Sequence, residues 1–138
     1  MTTRRKLKLK NIKSFVIDRK IWARGRMLDE SGGSKVNSLL RIDDKMCCLG
    51  IYLKACGVPN KDLLQVGDPE NLDLPLKMLP KWLLEEVDIE GYENSKLVSD
   101  LIDANDATSC KEATREVKVA KLFAKTGIKV TFKGEANE

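Results

Sequence analysis

The chain of 138 residues contains no histidine. Histidine is the usual general base beside a nucleophilic cysteine and a common zinc ligand, so its absence removes the most frequent partner for either chemistry. None of the four cysteines has the C-x-x-C spacing of a zinc site; they are Cys47, Cys48, Cys56 and Cys110. We therefore expect no metal and no cofactor, and we favour a protein that is not an enzyme.

Long apolar runs are also missing. No stretch approaches the roughly 20 apolar residues that span a bilayer, and the basic N-terminus lacks the apolar core of a secretory signal. These features predict a cytoplasmic protein without a membrane partner, whose reduced cysteines pack as small apolar side chains. At 42% hydrophobic residues the chain can bury one core, so we expect a single domain over residues 1–138, frayed at 1–5 and 134–138.

Most of the charge imbalance lies at the N-terminus. The formal net charge is +4, and residues 1–13 include several basic residues and no acidic one. Such an arm can contact the phosphates of a nucleic acid, here through Arg4, Arg5, Lys6, Lys8 and Lys10. Leucine and lysine alternate over residues 6–10, however, which is also typical of an edge strand with one solvated face. We favour the edge strand, because no aromatic residue lies among these lysines.

Two strands are predicted to form the sheet. Residues 128–132 alternate with period two and are rich in β-branched and aromatic side chains. The natural partner of this strand is the N-terminal segment with Leu7 and Leu9. Residues 14–21 are ambiguous between strand and helix, and residues 39–42 suggest another short strand. We expect an α+β fold in which a small sheet of N-terminal and C-terminal strands is covered by several helices.

The helices are predicted from their ends. A helix over residues 46–56 should stop at Gly57, which can adopt the left-handed conformation. One or two short apolar helices should follow over residues 75–84, the second with Pro80 near its first turn. Ser109 and Glu112 form a capping box, so the last helix should begin at Cys110 and reach about Lys125. Its predicted apolar face consists of Ala113, Val117, Ala120, Leu122, Phe123 and Ala124.

The paired cysteines allow two interpretations. On a helical wheel Cys48 falls with Tyr52 and Ala55 on an apolar stripe, which predicts a core position. Cys47 falls elsewhere, in the first turn, where backbone N–H groups favour a thiolate and Lys54 could add to the effect. Acidic residues just upstream and the missing histidine oppose a catalytic Cys47, so we favour packing.

Six blocks of the chain carry distinctive combinations of residues: Arg19 to Gly25 with Trp22 and Arg24, Ser38 to Leu40, Lys45 to Gly50 with its Cys-Cys-Leu-Gly motif, Asn105-Asp106, Glu112 with Arg115 and Glu116, and Gly127 to Phe132. Together these blocks resemble a family of small uncharacterised proteins of tailed phages and prophages. The resemblance implies a phage setting and a shared fold, and it implies no reaction. It departs from the family at Arg26 and the Gly and Ser loop that follows.

The same blocks suggest a physical arrangement. Asn105 and Asp106 are predicted to lie in a loop between two helices, with Arg115 in the first turns of the last helix. We hypothesise that a contact of Asp106 with Arg115 or Arg24 pins this loop against the core beside Cys47. Capping and loop pinning explain the pair adequately, so we favour a structural role over a binding role.

Three classes of function follow from the sequence. The favoured one is a nonenzymatic, phage-encoded accessory protein that binds a host or phage protein in the cytoplasm of the infected cell. The first alternative is a nucleic-acid-associated accessory protein that uses the basic N-terminal segment. The second alternative is a thiol-dependent enzyme built on Cys47.

Overall fold

A computed structural model describes residues 9–25, 38–87, 91–107 and 111–134. Its strands are β1 (Ser14–Asp18), β2 (Leu84–Glu86), β3 (Tyr92–Asn94) and β4 (Lys129–Lys133). Its α-helices are α1 (Cys48–Cys56), α2 (Asn60–Leu63), α3 (Lys96–Asp106) and α4 (Glu112–Ala124). Three short 3-10 helices lie between α2 and β2, at Pro69–Asn71, Leu76–Met78 and Lys81–Leu83. The predicted α+β class is confirmed, and none of the described helices is long and apolar enough to cross a membrane.

The first and last described strands form a parallel pair, with Ser14 opposite Lys129 and Asp18 opposite Lys133. Parallel pairing requires a long crossover, which here contains all the helices. The predicted sheet of N-terminal and C-terminal strands is confirmed. The described partner of β4 is Ser14–Asp18, however, and the predicted partner was the segment with Leu7 and Leu9. Residues 1–8, including Leu7, lie outside the described residues, and Leu9 is not in a strand. The actual strand alternates buried Phe15 and Ile17 with exposed neighbours, which gives it an apolar face.

The helix α1 confirms the predicted element around the paired cysteines. It ends at Gly57, which has φ 116° and donates its N–H to the carbonyls of Leu53 and Lys54. Nearly all of the helix is buried. Ala55, which was predicted to lie in the core with Cys48 and Tyr52, is exposed instead. Gly50 packs directly on the backbone of Leu39, so closely that a Cβ there would lie 1.8 Å from the carbonyl oxygen.

The segment at 39–42 does not form the predicted strand. Leu40 makes one isolated bridge with Leu64, and the chain then turns back on itself. Within that turn Asp44 has φ 70° and donates its N–H to the carbonyl of Arg41. A left-handed residue so close to the bridge stops a strand from continuing. The predicted short helices after Pro75 and Pro80 are present as 3-10 helices.

The helix α4 differs from its prediction at its start and on its buried face. Lys111 is the N-cap, so the helix begins at Glu112 rather than Cys110, and Ser109 lies outside the described residues. The buried residues are Arg115, Val119 and Phe123. The predicted apolar face is only partly right: Phe123 is buried and Ala120 and Leu122 are half-buried, but Ala113, Val117 and Ala124 are exposed.

A single hydrophobic core joins these elements. Its centre is a group of aromatic rings from β1, α1, α4 and the third 3-10 helix: Phe15, Tyr52, Phe123 and Trp82. The centroid of the Phe15 ring lies 5.0 Å from that of Phe123 in an edge-on arrangement. Such contacts add to the stabilisation from burial alone, and they tie the first strand to the last helix.

Candidate functional site

Asn105 is the central residue of the region in which the family-like blocks meet. It lies at the end of α3, not in a loop as predicted, and only 1% of it is exposed. Its side-chain oxygen accepts hydrogen bonds from the indole N–H of Trp22, at 2.7 Å, and from the backbone N–H of Cys48, at 3.0 Å. Its side-chain nitrogen donates to the carbonyl of Ala23 and to a carboxylate oxygen of Asp106. The amide therefore uses both its donors and both acceptor positions.

These bonds connect three separate parts of the chain. The N–H of Cys48 is one of the groups that a helix start leaves without an intrahelical acceptor, so Asn105 caps α1 from a distance of 57 residues. The backbone carbonyl of Asn105 also accepts from Gly25, at 2.7 Å. Gly25 has φ 63°, and a Cβ there would lie 3.2 Å from the Arg115 guanidinium. The Trp-x-Arg-Gly, Cys-Cys-Leu-Gly and Asn-Asp blocks thus meet at one buried amide.

Arg24 lies beside this amide and is 5% exposed. Its guanidinium stands 4.7 Å from the centre of the Trp22 ring, pairs with Glu112, and donates to the backbone carbonyls of Trp22 and Arg19. Burial lowers the pKa of Arg24, and the nearby positive charge of Arg115 lowers it further. The side chain is thus fixed by one face of its plane, which lies against Trp22, and by its N–H groups.

Arg115 occupies the inner face of α4, where an apolar residue would be expected. Its guanidinium donates to the carbonyls of Ala104 and Ala107 at the end of α3, and to Glu112 at 2.5 Å. It therefore satisfies carbonyls that the C-terminus of α3 leaves without a partner. Glu112 receives both Arg24 and Arg115, so its one negative charge offsets part of their two positive charges.

Arg19 closes the cluster on the side of β4. It forms a bidentate pair with Glu116, with N–O distances of 2.7 and 2.8 Å, and donates to the carbonyl of Gly134. The hydrogen bond with Glu116 raises the pKa of Arg19. We call the whole group the Asn105 cluster, which consists of Arg19, Trp22, Arg24, Asn105, Glu112, Arg115 and Glu116.

The predicted pinning contact is replaced by a different set of bonds. The end of α3 is held to α4 by Arg115 through backbone carbonyls, and Arg24 pairs with Glu112. Asp106 accepts a hydrogen bond from the side chain of Asn105. The structure thus brings Asn105, Arg24 and Arg115 together, and Glu112 is the carboxylate that pairs with both arginines. The sequence signal for it was the spacing of Glu112, Arg115 and Glu116 on one helix.

Cys47 does not have the environment of a nucleophile. It is the N-cap residue of α1, and backbone N–H groups at the helix start do favour its thiolate, as predicted. Burial outweighs them and raises the pKa of Cys47 to about 12, with a further contribution from the negative charge of Asp106. Lys54 is exposed and lies seven residues further on, about 10 Å along the helix axis, so it gives Cys47 no support. Burial likewise raises the pKa values of Cys48 and Cys56.

Two further structural features were missed by sequence reasoning. Arg41 and Asp43 form an almost fully buried ion pair, 2.8 Å long, across the turn after Leu40. Gly50 permits the close approach of α1 to Leu39.

Within the described ranges, no group of three or more Cys, Asp or Glu side chains could hold a metal ion. The Asn105 cluster therefore holds the fold together, and its chemistry is that of hydrogen bonds and ion pairs.

The exposed side of α4 is the largest departure from the predicted core. Val117 is 54% exposed and lies between Ala113 and Ala124 along the helix. Lysines border this apolar stripe on one side, and on the other side Glu116 is neutralised by Arg19. We call this surface the α4 outer face: Ala113, Thr114, Val117, Lys118, Lys121 and Ala124. It continues into a groove between α4 and β4, which Lys121 and Lys129 both line.

The predicted nucleic-acid contacts are only partly described. Arg4, Arg5, Lys6 and Lys8 lie outside the described residues, whereas Lys10 is exposed and its backbone N–H donates to the carbonyl of Cys56.

Comparison with known proteins identifies no relative of this chain. No protein-family model, no curated protein and no solved structure matches the chain. The resemblance to phage proteins therefore stays a prediction.

Proposed function

We propose that the protein is a nonenzymatic accessory protein of a tailed phage, which binds a host or phage protein through the α4 outer face. The observation that carries this proposal is the exposure of Val117, at 54%, in the middle of an apolar helical stripe. Apolar stripes at helical spacing normally face a core, so one left in solvent is typical of a binding surface. The phage setting rests on the family-like blocks alone.

The distribution of reactive groups supports the same proposal. The described cysteines are buried, and the arginines of the Asn105 cluster are occupied by internal partners. Residues whose types suggest chemistry are therefore engaged in holding α1, α3 and α4 together. The outward residues of α4 make no comparable contacts with the other residues that the structure describes, which supports their use by a partner protein.

Affinity capture from phage-infected cells tests the proposal. The tagged full chain is compared with Val117→Asn and with Val16→Asn, a matched control because Val16 is 48% exposed on β1. We expect one specific protein that the control retains and Val117→Asn loses, with all three chains showing the same thermal unfolding midpoint within about 3 °C. Identical sets of bound proteins for both variants would contradict the proposal.

A second candidate function is supported by one specific observation. The N–H of Lys129 donates to the carbonyl of Lys13, so the end of the basic N-terminal segment lies next to β4 and its groove. Lys129 on β4 and Lys121 on α4 extend that positive charge along the groove. A nucleic acid bound there should give a gel shift that weakens steeply with salt and disappears when residues 1–10 are deleted. A shift that survives the deletion would exclude the N-terminal segment as the contact.

A further inference from the structure

We infer that the α4 outer face binds the hairpin β2–β3 of a second copy of the chain, so that the molecules associate head to tail. The inference rests on the proposed function, since it assigns a partner to the same helix face. The hairpin carries the acidic and apolar chemistry that complements this face, and both surfaces are present in one chain.

The hairpin presents two acidic side chains on one of its faces. Glu85 and Glu93 are directly opposite each other in the register of β2 and β3, and both are exposed. Neither forms an ion pair within the part of the chain that the structure describes. Like charges at directly opposite positions destabilise a strand pair, so the hairpin gains from a positively charged neighbour. Val87, 49% exposed, follows on the same side by strand alternation and adds an apolar contact.

The α4 outer face has the matching pattern. Lys118 and Lys121 are three residues apart, which places them about 5–6 Å from each other on the helix surface. The two hairpin carboxylates stand on Cβ atoms roughly 5 Å apart. Val117 is adjacent to both lysines, as Val87 is adjacent to Glu85. Each surface therefore combines a pair of like charges at similar spacing with an exposed valine.

The contact requires two molecules. The hairpin packs against the first and third 3-10 helices and against α3, whereas α4 packs against α3 and β4. No ion pair joins the hairpin to α4 among the residues that the structure describes. Two different patches that meet between copies form a heterologous interface, which produces rings or open chains rather than a closed two-fold dimer.

Sedimentation velocity of the full chain tests this inference. We expect the average mass to rise between about 10 and 200 µM protein, as mass action requires. The rise should shrink between about 0.1 and 1 M salt, because the screening length falls from about 10 to 3 Å. The face variant Lys118→Glu/Lys121→Glu and the hairpin variant Glu85→Lys/Glu93→Lys should each be monomeric.

Mixing the two variants gives the decisive result. Reversed charges on either surface abolish self-association, but the face variant keeps an intact hairpin and the hairpin variant keeps an intact α4. In their mixture each α4 outer face meets a hairpin of opposite charge, the natural pair in one direction and the exchanged pair in the other, so salt-dependent association should return. The control Lys54→Glu/Lys61→Glu makes the same charge change at exposed positions of α1 and α2 and should associate as the natural chain does.

The outcomes separate this inference from the proposed function. A natural chain that stays monomeric at about 200 µM in low salt, where association should be strongest, overturns the inference. A mixture of variants that stays monomeric also overturns it. In either case a captured protein that depends on Val117 would preserve the proposed function and identify a foreign occupant of the face. Self-association without any captured protein would exclude a foreign partner and leave a second copy as the occupant of the face.

Discussion

Gly50 is the position at which the structure reverses an ordinary expectation about helices. Alanine is favoured over glycine inside a helix by about 1 kcal/mol, so Gly50→Ala would normally stabilise α1. Here the added Cβ would lie 1.8 Å from the carbonyl oxygen of Leu39 and 2.6 Å from its carbonyl carbon. Both are backbone atoms, so no side-chain rotation can relieve the clash.

The magnitude follows from the movement that the clash requires. Ordinary contact begins at 3.4 Å, so α1 and the Leu39 segment must separate by about 1.6 Å. Leu39 is fully buried and its N–H is bonded to the carbonyl of Val66, at 2.8 Å, which resists that movement. Overpacking of a dense core costs about 1–3 kcal/mol and sometimes more. With a shift this large and the helix-propensity gain subtracted, we expect Gly50→Ala to lower the free energy of unfolding by about 2–3 kcal/mol.

Urea unfolding followed by circular dichroism and tryptophan fluorescence measures this loss. Gly67→Ala is the matched control, because a Cβ at Gly67 would meet nothing within 4 Å. It should be neutral or raise the free energy of unfolding by about 0.4–1 kcal/mol through the unfolded chain. A Gly50→Ala protein as stable as the natural chain would refute the close approach of α1 to Leu39, and equal losses in both variants would show a general effect of replacing glycine.

Three further predictions concern the Asn105 cluster and the thiols. Asn105→Ala should lower the free energy of unfolding by about 3 kcal/mol in the same urea assay, because three buried partners and the half-buried Asp106 lose a hydrogen bond. Asn71→Ala, at an exposed asparagine, should lower it by less than about 1 kcal/mol, and similar losses in the two variants would contradict the role of Asn105. Arg115→Lys should lower the free energy of unfolding by about 2 kcal/mol or more, because an ammonium group cannot reach Ala104, Ala107 and Glu112 together. A decrease of less than about 0.5 kcal/mol would contradict that geometry. The pKa of Cys47 is raised to about 12 from 9.0, so the unfolded thiol ionises first as pH rises; stability should be constant below about pH 8 and fall between 9 and 12, with a smaller fall in Cys47→Ala. Rapid iodoacetamide labelling of Cys47 in the native protein near neutral pH would contradict its burial.

The sequence correctly predicted those helices and strands whose ends and buried faces depend on residues close by in the chain. The end of α1 at Gly57 is an example, since glycine adopts the left-handed φ of 116° at no steric cost. The strand β4 is another, because Val130 and Phe132 alternate with exposed residues. The 3-10 helices after Pro75 and Pro80 follow from the fixed φ of proline.

The errors occurred where distant residues decide the outcome. The wheel of α4 placed Val117 on the apolar face and did not include Arg115, whereas Val117 is 54% exposed and Arg115 is buried. An apolar residue is buried only if another element covers it, and an arginine can be buried if carbonyls and a carboxylate receive its N–H groups. Those acceptors come from α3 and Glu112, and no local pattern shows that they lie within reach.

The sequence by itself determined the α+β class, the ends of α1, the terminal strand β4 and the absence of a histidine-based site, because these depend on composition and on residues a few positions apart. Only the tertiary structure decided that Ser14–Asp18 pairs with β4 and that Asn105 bonds to both Trp22 and Cys48. It also decided that Cys47 is buried and that the outward side of α4 is apolar. The strand pair and the Asn105 bonds join residues 57 to 115 positions apart, and the packing of the whole core decides which distant residues meet and which stay exposed.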